Sequence, residues 1–317
     1  MPTVGIFLSG EERSAPELVD LAARAERAGF RKAWISDHFH PWTDEQGQSP
    51  FVWAVLGGIA SATTQLAVHT AVTCPTVRIH PAIVAQAAAT TATLMPGRFG
   101  LGVGSGEALN EHVLGDRWPD ADTRLEMLEE AVEVIRALWS GEWTDHRGRH
   151  YTVEHARLYS LPAEPPPIHV SGFGPKSVEL AARIGDGYMS TGADAELLRA
   201  YREGGGKGSA QTGMKVCWAS DEAEARRTAY RIWPNEVLPG ELAQILPTPQ
   251  HFMQAAELVT EDMIARAVPC GPDAERHAAR IREAFDAGYD EVYVQQIGPD
   301  QEGFLRFYER EVLPRVG

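Results

Sequence analysis

The stretch Lys32-Ala33-Trp34-Ile35-Ser36-Asp37-His38-Phe39-His40-Pro41-Trp42 decides the fold. Its first four residues have the apolar composition of a buried β-strand. The strand runs directly into an acid, two histidines and a tryptophan. Ligands bind at the carboxyl ends of strands in α/β barrels and in open α/β sheets, so this stretch predicts a functional strand end. In the alternative interpretation, Asp37 only caps the next segment, the histidines are solvated and Trp42 belongs to the core.

Strand-like segments alternate with helical patterns along the whole chain. The predicted strands are 3–8, 32–35, 66–72, 99–103, 168–171, 187–190, 214–218 and 291–295, and the helices between them include 81–94, 122–139 and 272–287. Such alternation produces parallel strands with right-handed crossovers. Eight strands, with no linker to split the chain, predict one (β/α)8 TIM barrel over residues 1–317. Two insertions interrupt it, at about 141–166, where we expect a hairpin, and at about 230–265, which we expect to overhang the pocket.

Composition limits the partners and the compartment. The 317 residues are 44% hydrophobic and 23% charged, and the net charge of -15 argues against nucleic acid or an anionic membrane as a partner. No apolar run reaches membrane-spanning length, and the first residues lack the basic segment of a signal peptide. Cys74, Cys217 and Cys270 have no paired spacing. We therefore expect a cytoplasmic protein with a small-molecule partner.

A barrel collects its polar strand ends at one face. Carboxylates and imidazoles around one cavity supply a general acid and a general base. The glycine-rich turns 104–106 and 172–174 let the backbone approach a large ligand, although each is also explained as an ordinary turn. The residues gathered in this way are Glu11, Asp37, His38, Trp42, Cys74, Ser105, Glu107, Asn110, Gly172, Gly174 and Thr191.

Competing motifs are incomplete. The stretch 102–107 approaches a dinucleotide-binding GxGxxG motif but ends in Glu107, and 206–208 lacks the remaining residues of a P-loop. The HxH spacing of His38 and His40 suits two metal ligands. The later strand ends offer only His169 as a further imidazole ligand, so no metal site is predicted.

Three strings carry a resemblance to a known family. Ser36-Asp37-His38-Phe39-His40-Pro41-Trp42, Pro75-Thr76-Val77-Arg78 with Pro81-Ala82, and the run from Gly102 to Glu111 resemble the F420-dependent glucose-6-phosphate dehydrogenase group of the luciferase-like TIM-barrel superfamily. The resemblance extends from the first strand to about residue 192 and is weaker in the last third. It implies a homodimer that binds coenzyme F420, a 5-deazaflavin, in the barrel mouth, with C5 facing the substrate.

Matching motif positions imply specific roles. His38, Trp42 and Glu107 match the catalytic trio, and Glu11 matches an additional carboxylate. Ala71-Val72 matches a non-prolyl cis peptide bond behind the deazaflavin, and Cys74 stands where the pattern usually has Thr. The residues that the resemblance assigns to the cofactor are Asp37, Ala71, Val72, Cys74, Ser105, Gly106, Asn110, Phe173, Gly174, Lys176 and Ser177.

The chemistry requires an acid and a base. A hydroxyl yields a hydride only when a base removes its proton, and His38 is a natural base because its ordinary pKa is near neutral. Glu107 would protonate the reduced deazaflavin or relay a proton to it, a role that needs its pKa raised by burial or by a nearby carboxylate such as Glu11. Trp42 would wall the cavity against water. The sequence does not order these roles, so His38 and Glu107 are interchangeable at this point.

The loop after the sixth strand departs from the family pattern. Phosphosugar-specific members carry a lysine where this chain has Asp194, and Arg266 matches a second cation of their phosphate pocket. A carboxylate repels a phosphate dianion. We therefore predict an F420-dependent dehydrogenase of an unphosphorylated sugar, at its C1 hydroxyl, or of another secondary alcohol, with Trp42, Thr191, Asp194 and Arg266 lining the substrate site. The alternatives are an F420- or flavin-dependent reductase or monooxygenase, a metal-dependent barrel hydrolase, and a catalytically silent binding protein.

Overall fold

The computed structural model describes residues 2–316. Its strands are β1 (Thr3–Leu8), β2 (Lys32–Ile35), β3 (Ala67–Thr70), β4 (Phe99–Val103), β5 (Thr144–Arg147), β6 (Thr152–Ala156), β7 (Ile168–Ser171), β8 (Gly187–Thr191), β9 (Ala210–Val216) and β10 (Glu291–Gln296). Eight of them close a parallel barrel in the order β1-β10-β9-β8-β7-β4-β3-β2, while β5 and β6 form an antiparallel pair. The predicted (β/α)8 barrel is therefore confirmed.

Helices follow the barrel strands and cover them. They are α1 (Ala15–Arg27), α2 (Val52–Ala62), α3 (Pro81–Leu94), α4 (Ala108–Glu111), α5 (Ala121–Trp139), α6 (Pro175–Ile184), α7 (Ala195–Glu203), α8 (Glu222–Ile232), α9 (Leu242–Ile245), α10 (Pro249–Ala256), α11 (Glu261–Ala267), α12 (Ala274–Asp286) and α13 (Gln301–Phe307). Single helical turns span His112–Leu114, Pro234–Val237 and Leu313–Arg315, and a π-helical segment spans Tyr308–Val312. Among the described residues, no helix is both long and apolar enough to span a bilayer.

Most predicted elements agree with the structure. The first insertion forms the β5–β6 hairpin, and the second contains the short helices α9 and α10 and most of α11. The seventh barrel strand begins at Ala210 rather than at the predicted residue 214. Its early part was missed because Gln211 and Gly213 interrupt the apolar pattern, although both lie inside the barrel.

Aromatic side chains fill the barrel interior below the mouth. Trp34 from β2 stacks on Tyr293 from β10 with ring centroids 4.5 Å apart, and Met189 from β8 packs with them. The absence of a side chain at Gly213 makes room for Trp34, because a Cβ there would lie 2.7 Å from the indole ring. Phe7, Ala71 and Val72 pack against this cluster and are only partly buried. They form an apolar floor for the mouth.

Candidate active site

His38 lies between two carboxylates at the mouth of the barrel. Its Nδ1 is 2.7 Å from Oε1 of Glu11, and its Nε2 is 2.9 Å from Oε1 of Glu107. Both distances are those of close contacts between an imidazole nitrogen and a carboxylate oxygen. The three residues follow β1, β2 and β4, so strand ends that are distant in sequence meet here. His38 thus contacts both of the predicted carboxylates.

This arrangement favours a protonated imidazole. Burial disfavours the charge of His38, but the negative charge of Glu11 and the contact with Glu107 outweigh it and raise the pKa to about 10. Burial likewise opposes ionisation of Glu11, yet the charge of His38 and the Ser9 hydroxyl lower the pKa to about 2. A protonated imidazole has an N–H for each carboxylate, whereas a neutral one has only one. At neutral pH the site therefore holds an imidazolium between two carboxylates.

The direction of the Glu107 pKa is opposite to the one that its role as an acid would need. Burial acts to raise it, but the contact with His38 and its charge prevail, so the pKa of Glu107 is lowered. Glu107 also accepts a hydrogen bond from Nδ2 of Asn110 at 3.1 Å. The other amide atom of Asn110, Oδ1, accepts the backbone N–H groups of Phe39 at 2.8 Å and His40 at 2.9 Å. Asn110 therefore connects Glu107 to the loop that carries His38.

A buried ion network lies beside this trio. Asp37 accepts hydrogen bonds from the Thr73 hydroxyl at 2.8 Å and from Nη2 of Arg78 at 3.0 Å. Arg78 also contacts Glu111, through its backbone N–H at 2.8 Å and through Nε at 3.4 Å. Burial raises the pKa of Glu111 to about 7, against the lowering effect of Arg78. Sequence reasoning did not single out Arg78 or Glu111, although both lie within the strings that carry the resemblance.

The glycine turn after β4 packs closely against Cys74. Gly106 has φ 77°, and a Cβ there would lie 2.5 Å from Sγ of Cys74. Cys74 is buried and contacts the Thr76 hydroxyl at 2.9 Å. Ser105 lies in the same turn, and the peptide bond between Ala71 and Val72 is cis, as the resemblance implied. Gly104 of this turn lies against the apolar floor, because a Cβ there would be 2.7 Å from the Val72 side chain.

The second glycine turn leads into α6. Backbone N–H groups of Phe173 and Gly174 donate to the Ser177 hydroxyl, each at 3.1 Å, and the Phe173 ring is exposed. The first turn of α6 contains Lys176 and no acidic residue, so this helix start favours an anion. Nζ of Lys176 lies 2.6 Å from Asp122 at the surface. The turns after β4 and β7 lie side by side, because these two strands pair.

Trp42 links His38 to the second insertion. Its indole stands edge-on to the His38 ring, with centroids 5.1 Å apart, and edge-on to Phe252 of α10, also at 5.1 Å. Its backbone N–H donates to Oε1 of Gln46, and Nε2 of Gln46 donates to the Ile232 carbonyl at the end of α8. The insertion thus packs on the Trp42 loop, and Phe252 is a contact that the sequence did not predict.

The predicted substrate residues are not brought together by any described contact. Thr191 is exposed at the end of β8. Asp194 caps α7, with Oδ1 accepting the N–H groups of Glu196 and Leu197. Arg266 is exposed in the last turn of α11. The capping role of Asp194 could have been predicted from the local sequence, because Asp before a helix is a common N-cap.

His38 and His40 do not converge on a common point. Nδ1 of His40 lies 2.9 Å from the Leu109 carbonyl, while both ring nitrogens of His38 face carboxylates. Within residues 2–316, no group of three or more His, Cys, Asp or Glu residues has a metal-binding arrangement.

Comparisons with known proteins give the family. Residues 2–291 match the model of the luciferase-like monooxygenase family. An F420-dependent glucose-6-phosphate dehydrogenase of Nakamurella multipartita is 34% identical, over 98% of this chain and 96% of that protein. An F420-dependent hydroxymycolic acid dehydrogenase of Mycobacterium tuberculosis is 36% identical, over 99% of this chain and 88% of that protein. A solved F420-dependent secondary alcohol dehydrogenase, in complex with an F420-acetone adduct, superposes with a TM-score of 0.92 at 32% identity, covering 100% of this chain and 99% of that one. The chain belongs to the luciferase-like monooxygenase family.

Proposed function

We propose that this chain is an F420-dependent dehydrogenase that oxidises an uncharged secondary alcohol or the C1 hydroxyl of an unphosphorylated sugar. The observation that carries the proposal is the contact of His38 with Glu11 and Glu107 at the barrel mouth. An imidazole with a carboxylate 2.9 Å away supplies the acid–base pair that alcohol oxidation requires. Relatives that span the whole chain are F420-dependent dehydrogenases, which supports the cofactor and the reaction class.

The residues around the mouth fit a flat ring with an anionic tail. Ala71 and Val72 lie on the apolar floor beside the glycine turn at Gly106. The start of α6 and its Lys176 suit the anionic tail of the coenzyme. We assign to the same cofactor site Asp37, Cys74, Ser105, Asn110, Phe173, Gly174 and Ser177. When bound, F420 supplies a deazaflavin C5 that accepts a hydride.

The contact between His38 and Glu107 allows a proton to transfer from the imidazole to the carboxylate. Because the pKa of His38 is raised to about 10, its ring is protonated in the resting site and is not yet a base. Transfer of that proton from Nε2 to Oε1, over 2.9 Å, leaves a neutral imidazole beside a protonated carboxyl group. The neutral His38 then acts as the base that removes the proton of the substrate hydroxyl. Glu107, now protonated, is the acid of the pair. Glu11 stays ionised and orients the ring, while Trp42 covers one side of it against water.

The charges of the site favour an uncharged substrate. Two carboxylates and one imidazolium give Glu11, His38 and Glu107 together a net negative charge. The carboxylate of Asp194 caps α7 at the position where phosphosugar-specific members have a lysine. A phosphate dianion near these groups would be repelled. Thr191 and Arg266 are proposed to line the outer part of the substrate site.

The experiment is an anaerobic titration with F420, followed by a substrate panel monitored at the deazaflavin absorbance band. The panel contains secondary alcohols, glucose and glucose 6-phosphate. We expect F420 to bind and kcat/KM to be highest for an uncharged alcohol or sugar. No binding of F420 would refute the cofactor, and a preference for glucose 6-phosphate would refute the substrate class. Bound flavin in the purified protein would point instead to an oxygenase.

We also propose that the protein acts as one domain, in the cytoplasm and as a homodimer. Strands β1 and β10, from the two ends of the chain, pair with each other, which supports one folding unit. The three cysteines are free and buried, in keeping with a reducing compartment. Sedimentation of the purified protein tests the dimer.

A further inference from the structure

We propose that Ser9 and Ser36 are positioning residues that hold Glu11 in place and thereby set the proton affinity of His38. The inference rests on the proposed function, because it concerns the same acid–base site. It adds two hydroxyl groups that touch neither the expected substrate nor the imidazole. Their effect on His38 passes entirely through the Glu11 carboxylate.

The two hydroxyls bind the oxygen of Glu11 that His38 does not use. Oγ of Ser9 donates to Oε2 at 2.7 Å, and Oγ of Ser36 donates to the same atom at 3.0 Å. The other oxygen, Oε1, faces Nδ1 of His38 at 2.7 Å. Both serines are only 4% exposed, so water does not readily replace them. The carboxylate is thus held at one oxygen while the other meets the imidazole.

The direction of the Ser36 hydroxyl follows from its second contact. The backbone N–H of Gly10 donates to Oγ of Ser36 at 2.9 Å. That bond occupies a lone pair of the oxygen, so the hydroxyl proton points to Glu11. Gly10 immediately precedes Glu11 in the chain, and Ser36 lies at the end of β2, two residues before His38. One serine side chain therefore connects the loop that carries the carboxylate with the loop that carries the imidazole.

Hydrogen bonds of this kind favour the charged carboxylate. Donors to a carboxylate stabilise its ionised form, and the ionised form in turn stabilises the imidazolium. Without the hydroxyls, Glu11 gains rotational freedom, and its mean separation from Nδ1 increases. The proton on His38 is then held less tightly, and the alkaline limit of activity moves to lower pH.

Other charged groups lie near the pair of Glu11 and His38. Glu107 faces His38 from the start of α4, and the positive charge of Arg78 acts on Glu107. On the Glu11 loop itself, Glu12 and Arg13 pair with each other at 3.7 Å. Neither serine hydrogen-bonds to any of these four groups within residues 2–316. A change in His38 after removal of the hydroxyls would therefore report on Glu11.

The test measures the imidazole directly, without cofactor. Selectively labelled histidine is titrated by NMR in the wild-type protein and in Ser9→Ala, Ser36→Ala and the double variant, with His38 assigned from a His38→Gln variant. The double variant should lower the proton affinity of His38 about three- to tenfold, which moves the midpoint down by about half to one pH unit. Ser9→Thr keeps a hydroxyl and should restore most of the wild-type midpoint. Thr91→Val removes a buried helical hydroxyl that donates to the Ala87 carbonyl and is the matched control.

The same variants are then assayed with F420 and substrate. The alkaline limb of the kcat/KM profile should move with the NMR midpoint, while the Kd of F420 stays within about twofold. An unchanged midpoint in Ser9→Ala and the double variant would overturn the proposal, and so would an equal shift in Thr91→Val. The NMR titration needs neither F420 nor turnover, so its result stands even if the proposed function fails.

Discussion

Replacing Arg78 with methionine tests the buried ion network beside the catalytic trio. The side chain contacts Asp37 at 3.0 Å and Glu111 at 3.4 Å, and the arginine side chain is 7% exposed against 1% for each carboxylate. Methionine keeps most of the volume but removes the charge. Both carboxylates are then left without their cation in a place that water does not reach. Breaking a buried pair in this way destabilises a protein by about 3–5 kcal/mol.

The size of the loss depends on pH through Glu111. The pKa of Glu111 is already raised from 4.5 to about 7, which corresponds to about 3 kcal/mol at about 1.4 kcal/mol per pKa unit. Because the folded state binds this proton more tightly than the unfolded state, its contribution is most favourable below pH 4.5 and is lost as the pH rises to about 7. Arg78→Met removes the guanidinium that opposes this effect. The variant should therefore lose about 3–5 kcal/mol at pH 8 but only about half of that at pH 5, where Glu111 is neutral.

Urea unfolding at pH 5 and pH 8 measures both losses as free energies of unfolding. Arg78→Met/Glu111→Gln removes the second carboxylate and should lose most of the pH dependence. Arg124→Met is a matched control, because the buried Arg124 donates to the Pro119 carbonyl and the Gln244 amide rather than to a carboxylate. A loss below about 1 kcal/mol at pH 8, or equal losses at the two pH values, would refute the reasoning.

Two further predictions concern His38 and the wall beside it. kcat/KM should stay level through neutral pH and fall as the pH rises towards 10, because the pair of His38 and Glu107 then loses its exchangeable proton; a profile governed by a group with a pKa of about 6.5 would contradict this. Phe252→Ala should lower kcat/KM about tenfold by freeing Trp42, with the Kd of F420 unchanged and Phe252→Leu retaining most activity. An equal loss of F420 affinity in Phe252→Ala would show that the wall supports the cofactor instead.

Local patterns predicted most of the fold because each element carries its own signals. The helix predicted at 122–139 spans Ala121–Trp139, with an Asp120 side chain capping its start. Strand β9 was placed too late because its interior positions are Gln211 and Gly213, which do not look apolar. Their suitability depends on Trp34 of β2, whose Nε1 donates to Gln211 and whose ring occupies the space above Gly213. A partner 177 positions away leaves no local trace.

The residues of the candidate site were predictable where their position after a strand places them at the barrel mouth. His38, Glu107 and Glu11 each follow a strand, and barrel closure alone brings such strand ends together. The choice of partners was not predictable, since the contact of Arg78 with Asp37 spans 41 positions. The direction of the Glu107 pKa was unpredictable for the same reason. The proposed role required a pKa raised by burial or by Glu11, whereas a protonated neighbour at 2.9 Å lowers it.

The positions of the charged groups favour different ligands in the two parts of the site. Within residues 2–316, the buried cation beside the acid–base residues is Arg78, and it is already paired with Asp37 and Glu111. An anionic substrate would have to displace one of these carboxylates and leave it without its cation, at a cost that grows with burial. The start of α6 has no acidic residue in its first turn, and its Lys176 pairs with Asp122 at the exposed surface, where an ion pair is weak and easily exchanged. This distribution of charge therefore favours an anionic cofactor tail beside α6 and an uncharged substrate beside His38.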